Sequence, residues 1–205
     1  MRRDRGIVYV VYGEKARTEA AMSIRTMQQY HDLPVAVIGD QVEGVECIAF
    51  EQIDAGGRWA KINIDQLSPF DLTLYIDADT RVRGDLSRGF EILADGFDLA
   101  MTISTNQGDD LFWHVGETER QATFDELGYH PLQLQAGVMF VRKSERTARM
   151  FSAWRDEWLR WRDQDQAALL RALKKAPVKL WLLGCPYNGG ELVAHLFGRI
   201  RERGG

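Results

Sequence analysis

The sequence predicts an α/β layered fold built on a mostly parallel sheet. Three observations predict it. Apolar, β-branched runs recur along the chain and are continuous rather than alternating, as strands buried on both faces require. Segments with helical spacing stand between these runs, and strands separated by helices favour parallel pairing. The composition also supplies a core for such layers: of 205 residues, 45% are hydrophobic and 27% charged, an ordinary globular balance. At roughly 150 residues per domain, this length predicts one domain over 1–205.

The elements follow in order. Ile7 to Tyr12 is unbroken apolar and aromatic sequence and reads as the first strand. Ala16 to His31 is helical, with Ala20, Ala21, Ile24 and Met27 at helical spacing. Residues 34–39, closed by Gly39, form a second strand, and Glu46 to Phe50 a shorter one. Arg58 to Leu67 carries Ala60, Ile64 and Leu67 on one stripe and stops before Pro69, because the residue preceding a proline is pushed out of the helical region. Leu72 to Ile76 is a buried strand, Leu86 to Ala94 a short helix, and Phe97 to Ile103 and Gly137 to Val141 are further strands. Ser144 caps a helix that reaches Trp161; Trp154, Trp158 and Trp161 recur along it at the spacing of a core-facing stripe. Asp163 to Lys175 is another helix, whose basic end complements the helix dipole, and Pro177 to Leu183 is a last strand. Thr105 to Pro131 has little periodicity. So long an irregular insertion predicts a functional loop beside the active site, and it holds Asp109, Asp110, Trp113 and His114.

Charge and cysteine content exclude several classes. Lys plus Arg is 26 and Asp plus Glu is 30, a net charge of −4. Nucleic-acid binding rests on neutralising phosphates, so no nucleic-acid partner is expected. Cys47 and Cys185 are too few for a disulfide framework and read as reduced thiols in a cytoplasmic protein. No apolar run approaches the ~18 residues of a membrane span, and the stretch after Met1-Arg2-Arg3 is too short for a secretory leader.

The chemistry concentrates where the strand ending at Ile76 runs into Asp77 and Asp79. In open α/β sheets, ligands bind beyond the carboxyl ends of strands. Two carboxylates there repel unless a cation sits between them, and magnesium or manganese is held by one or two carboxylates together with substrate phosphates. The pair therefore points to a metal–diphosphate site; two solvated turn residues are the competing reading. A dehalogenase-type phosphotransferase also places Asp-x-Asp after a strand, but it needs Thr or Val where Arg81 stands.

Further residues line up in order around this pair. Lys61 lies in the helix before the metal strand, and residues 75–80 read Tyr-Ile-Asp-Ala-Asp-Thr. Gln135-Ala136-Gly137 opens a later strand, and an Asp-Gln pair follows, either Asp163-Gln164 or Asp165-Gln166. Tyr187-Asn188 and then His195-Leu196-Phe197-Gly198 complete the series. The series resembles nucleotide-sugar glycosyltransferases of the GT-A fold, most of all family 8 and its glycogenin-like members.

The resemblance implies a GT-A-like, Rossmann-like sheet and a nucleoside-diphosphate sugar donor, of which a UDP-sugar is the expected kind. It implies Mn2+ or Mg2+ held by Asp77, Asp79 and His195, the imidazole favouring manganese. It places Val10 and Tyr12 along the nucleotide, and Lys61, Asp77 and Gly198 at the donor. It sets Asp165 and Gln166 beside the reacting sugar carbon, with retention of configuration. The acceptor is left open: an unknown saccharide, a lipid-linked acceptor or a protein. Alternatives stand beside these roles: sheet packing for Val10 and Tyr12, a solvated helix face for Lys61, a cap for Asp165, and a packed histidine for His195. Two departures, Gln135 in place of Asn and Arg199, Arg201 and Arg203 in place of a Lys after Gly198, keep a non-catalytic nucleotide-sugar-binding protein as the rival reading.

Overall fold

Alternate residues of the first strand, β1 (Arg3–Val11), face opposite layers, and this alternation organises the molecule. Ile7, Tyr9 and Val11 enter one apolar cluster, while Val8 enters another, against which Val10 packs. The computed structural model describes residues 3–53, 57–104, 111–128 and 131–196. The remaining strands are β2 (Val35–Gly39), β3 (Glu46–Ile48), β4 (Phe70–Ile76), β5 (Thr80–Val82), β6 (Leu99–Ile103), β7 (Leu134–Arg142), β8 (Leu180–Leu183) and β9 (Val193–His195). The helices are α1 (Gly13–Met27), α2 (Arg58–Lys61), α3 (Ile64–Leu67), α4 (Ser87–Ala94), α5 (Glu117–Leu127), α6 (Glu145–Trp161) and α7 (Asp165–Lys175).

Seven strands form one sheet in the order β3-β2-β1-β4-β7-β6-β8, and β5 pairs with β9 apart from it. β1 is parallel to β2 and β4, β2 to β3, and β6 to β8, whereas β7 is antiparallel to both its neighbours. The sheet is thus mostly parallel, as expected. One core layer sets Ala20, Ile24 and Met27 of α1 and Phe90 and Leu93 of α4 against Ile7, Tyr9, Leu74, Ile76 and Phe140. The other sets Met150, Phe151, Trp154 and Trp158 of α6 and Leu169 of α7 against Val8, Tyr75 and Met139. Trp154 and Trp158 are fully buried, so this part of the tryptophan stripe is core. Ser144 caps α6 with a reciprocal bond to Thr147, which satisfies otherwise orphaned backbone donors.

Two expectations need correction. The single helix over 58–67 is two short ones, because the chain leaves helical geometry at Ile62 and Asn63; the Asn63 amide donates to the carbonyl of Trp59 at 2.8 Å. The segment 105–131 is not irregular throughout, since it contains α5. Its periodicity was weak because the face it buries is polar. Glu119 and Thr123 are the buried residues of α5, and both reach Arg171 of α7, itself fully buried.

β7 places the site. Because it runs against β4, its beginning arrives where β4 ends: Ile76 pairs with Val138, and the N–H of Asp77 donates to the carbonyl of Gly137 at 2.8 Å. Val8 pairs with Tyr75 in the parallel register, so β1 and β4 end at the same edge of the sheet.

Candidate metal and donor site

Asp77 and Asp79 sit in the turn between β4 and β5. Thr80, buried, closes that turn by donating to the carbonyl of Asp77 at 2.8 Å, and it is bonded in turn to Ser23 of α1. β5 then pairs with β9, setting Thr80 opposite His195, and the N–H of Leu196 donates to the carbonyl of Asp79 at 3.0 Å. This small sheet carries the imidazole to the carboxylates. One ligand atom from each of Asp77, Asp79 and His195 lies within 4.8 Å of the others. His195 Nε2 is 3.1 Å from Asp79 Oδ1 and 3.7 Å from Asp77 Oδ2.

The other ring nitrogen decides what faces the carboxylates. His195 Nδ1 lies 2.6 Å from Asn188 Oδ1. A carbonyl oxygen only accepts, so Nδ1 carries a proton there, and a neutral imidazole so held presents its Nε2 lone pair to the carboxylates. Three acceptors therefore converge, and a cation, whether proton or metal, belongs among them. A metal-bound imidazole with its second nitrogen donating to a carbonyl is a common arrangement. Asn188 is buried, and its Nδ2 has no partner among the described residues.

The close approach of the imidazole and the Asp77 carboxylate is kept open by a missing side chain. A Cβ at Gly137 would lie 2.4 Å from His195 Cε1 and 2.9 Å from Asp77 Oδ2, so a side chain there would occupy the cradle. The residues present thus fit a divalent cation: oxygen and nitrogen donors, close spacing and a wall of glycine.

A second chain of contacts leads from the cluster to the start of α7. Tyr75 donates to Asp77 Oδ1 at 2.5 Å; its phenol is pushed well up by burial and then by that carboxylate. Lys61, buried on α2, lies 3.5 Å from Asp77 Oδ1 and 2.8 Å from Asp165 Oδ2. Burial works to lower its ammonium pKa, but Asp165 and Asp77 together raise it. Burial likewise works to raise the Asp165 carboxyl, and Lys61 with Arg58 outweighs it, holding the carboxyl below its usual value. Lys61 is therefore not on a solvated helix face.

The structure separates the two Asp-Gln registers. Asp163 accepts from the N–H of Gly116 at 2.9 Å, and Gln164 accepts from Arg58 at 2.9 Å. Asp165 faces Lys61, and Gln166 is held between Gln133 and Gln135 at 2.5 Å each. Trp154 and Trp158 donate to the carbonyls of Asp165 and Asp163, so the core tryptophans also pin the helix start.

Val10 and Tyr12 stand at the end of β1. Tyr12 donates to the carbonyl of Phe50 at 2.8 Å. Gly57, in a left-handed conformation (φ 70°), packs so closely on both that a Cβ would come within 2.9 Å of Val10 Cγ1 and 3.1 Å of Tyr12 Cδ2. Gly198, Asp109, Asp110 and the arginines at 199, 201 and 203 lie outside the described residues. Sequence reasoning did not single out Tyr75 or Gln133, nor give Asn188 its role as the imidazole's partner. Polar Gln133 and Gln135 alternate toward Gly137 in an otherwise apolar strand, and this was the available signal.

No protein-family model matches this sequence, and no curated protein does. Solved structures do. The apo structure of the bifunctional glycosyltransferase WbbM superposes with a TM-score of 0.65 at 14% identity, covering 90% of this chain and 40% of that one. An active-site mutant of LgtC gives 0.62 at 14% identity, covering 89% and 74%. Mouse xyloside xylosyltransferase 1 gives 0.58 at 9% identity, covering 91% and 87%. The fold is that of GT-A glycosyltransferases. Likeness at such identities is a likeness of fold, and this chain spans less than half of the bifunctional enzyme.

Proposed function

We propose that this chain is a metal-dependent glycosyltransferase. It would move a sugar from a nucleoside-diphosphate sugar, a UDP-sugar by resemblance, to a saccharide, lipid-linked or protein-borne acceptor with retention. One observation carries the reading: Asp77, Asp79 and His195 converge within 4.8 Å against the glycine cradle at Gly137, at the carboxyl end of β4. Asp77, Asp79 and His195 would hold the cation, manganese by the nitrogen donor. When bound, such an ion supplies Lewis acidity to the charge that gathers on the departing diphosphate.

The chain's own residues divide the remaining work. Val10 and Tyr12 line the nucleotide end, where the Tyr12 ring, tied to the Phe50 carbonyl, would stack on the base. Lys61 counters the charge of Asp77 and Asp165 and keeps both carboxylates in place. It lies 2.8 Å from Asp165, and in this proposal Lys61 and Gly198 both keep their donor roles. Asp165 and Gln166 face the reacting sugar. The turn at 111–115 provides the acceptor side, as expected for the insertion. Leu111, Phe112 and Val115 are buried against Ala167 of α7, while Trp113 is 66% exposed, an apolar face for a sugar ring.

Titration of UDP with and without manganese tests the donor reading, and release of UDP from a panel of UDP-sugars tests turnover, with water as surrogate acceptor. The expected result is manganese-dependent binding and slow release that Asp79→Asn abolishes. Binding without release favours the non-catalytic rival, and absence of metal-dependent binding overturns both.

A further inference from the structure

The amide of Gln166 is held in one sense by a relay that begins at a backbone N–H. Phe112 donates its N–H to Gln133 Oε1 at 3.0 Å. A backbone N–H cannot turn round, so the Gln133 carbonyl faces Phe112 and its amino group faces the other way. That amino group donates to Gln166 Oε1 at 2.5 Å. Gln166 must then offer its own amino group onward, and it donates to Gln135 Oε1 at 2.5 Å. One fixed donor thus sets three side-chain amides, each otherwise free to flip by 180°.

The start of the relay is itself held in place. Phe112 is fully buried and has a left-handed backbone (φ 56°), rare for a bulky residue. Gln133 is buried too, and its carbonyl accepts from the N–H of Ser104 at 2.7 Å. The end of the relay lies next to the metal cradle along β7: Gln135 precedes Gly137 by two residues, and Gly137 abuts His195 and Asp77.

We propose that Gln133 is a positioning residue, which through this relay dictates which end of the Gln166 amide points toward Gln135 and which lone pair and N–H remain for the donor sugar. This rests on the reading of Gln166 as a residue beside the reacting carbon. Gln133 touches no substrate in this account; its influence passes through Gln166.

The test is isosteric. In Gln133→Glu, a neutral carboxyl still accepts from Phe112 and still donates to Gln166, so the relay survives. Once ionised, the carboxylate only accepts, and Gln166 must flip. The UDP-sugar hydrolysis rate of Gln133→Glu, divided by that of the wild type at the same pH, is therefore expected to be near one at acid pH. It should fall about 100-fold through a single ionisation, the order for a misplaced reacting group, with KM for the donor unchanged. His114, Arg58, Asp163 and Asp165, which interact with one another near the start of α7, titrate in both proteins; their coupling to the new carboxylate can move the midpoint of the fall but not remove it. Gln133→Met, neutral and unable to donate, is expected to be slow at every pH.

A second readout needs no turnover. The Gln166 side-chain amide resonance, identified by its loss in Gln166→Glu, should shift with pH in Gln133→Glu and stay constant in the wild type. A flat rate ratio together with an unmoved resonance overturns the relay. A resonance that moves while Gln166→Glu retains full activity leaves the relay standing and overturns the role of Gln166 in the reaction.

Discussion

Two clusters of charge flank α7, and they differ in where the counter-charge comes from. On one side, Arg171 is fully buried and donates to Glu157 and Glu119 at 2.8 Å each, and also to Thr123. Arg160 and Lys175 add to Glu157, whose carboxyl these groups hold low against the opposing pull of burial. That cluster brings its own cations. At the Asp77–Asp79–His195 cluster, two carboxylates converge on an imidazole whose other nitrogen meets Asn188 Oδ1. The first cluster carries its counter-charge within the protein, whereas the second, on the proposed reading, would take a cation that the chain does not supply.

The comparison breaks if the two clusters respond alike to substitution. The largest expected effect is on stability at the first. Arg171→Met strands a buried carboxylate and should cost about 3–5 kcal/mol, read by urea denaturation, with UDP affinity unchanged at temperatures where the variant is folded. The second cluster should do the reverse. Asp79→Asn is expected to lower the UDP-release rate by about 100- to 1,000-fold while denaturation stays within about 1 kcal/mol of wild type. A variant equally crippled in both measurements would erase the distinction.

A smaller effect sharpens it. Gly137→Ala fills the cradle at a cost to stability of about 1–3 kcal/mol and should abolish manganese-dependent UDP binding in calorimetry. The smallest effect concerns the Lys61–Asp165 link. The Asp165 carboxyl is held low in the fold, so its contribution is complete above the unfolded carboxyl value of about 3.9 and is lost as pH falls through the lower folded value. In Lys61→Met that carboxyl, buried without its partner, should titrate high instead. The stability gap between wild type and Lys61→Met is then expected to narrow on acidification, read from denaturation midpoints across pH.

Legibility followed the length of each signal. β1 and β4 were readable because each is a long apolar run, and the Asp77–Asp79 pair because it interrupts one. The α6 stripe was readable because Trp154 and Trp158 repeat with the helix. β5 and β9 were not, since three residues carry no period, and yet they are what brings His195 to Asp79. α5 was missed because its buried face is Glu119 and Thr123, which satisfy Arg171 rather than an apolar core. Gly137 was visible as part of a resemblance, but its reason, the 2.4 Å approach to His195 Cε1, is a property of the assembled site. Gln133 left only its alternation with Gln135, and its bonds to Phe112 and Gln166 are visible only in the assembled site.

The pairing of β5 with β9 also has a temporal side. His195 follows Asp79 by 116 positions. At the usual pace of translation, about 5–20 residues per second, roughly 6–23 seconds separate the emergence of the acidic pair from that of the imidazole. During that interval the nascent polypeptide holds only two of its three donors. The three groups that cluster in the fold are therefore complete only once the last strand has been made and β5 has found β9.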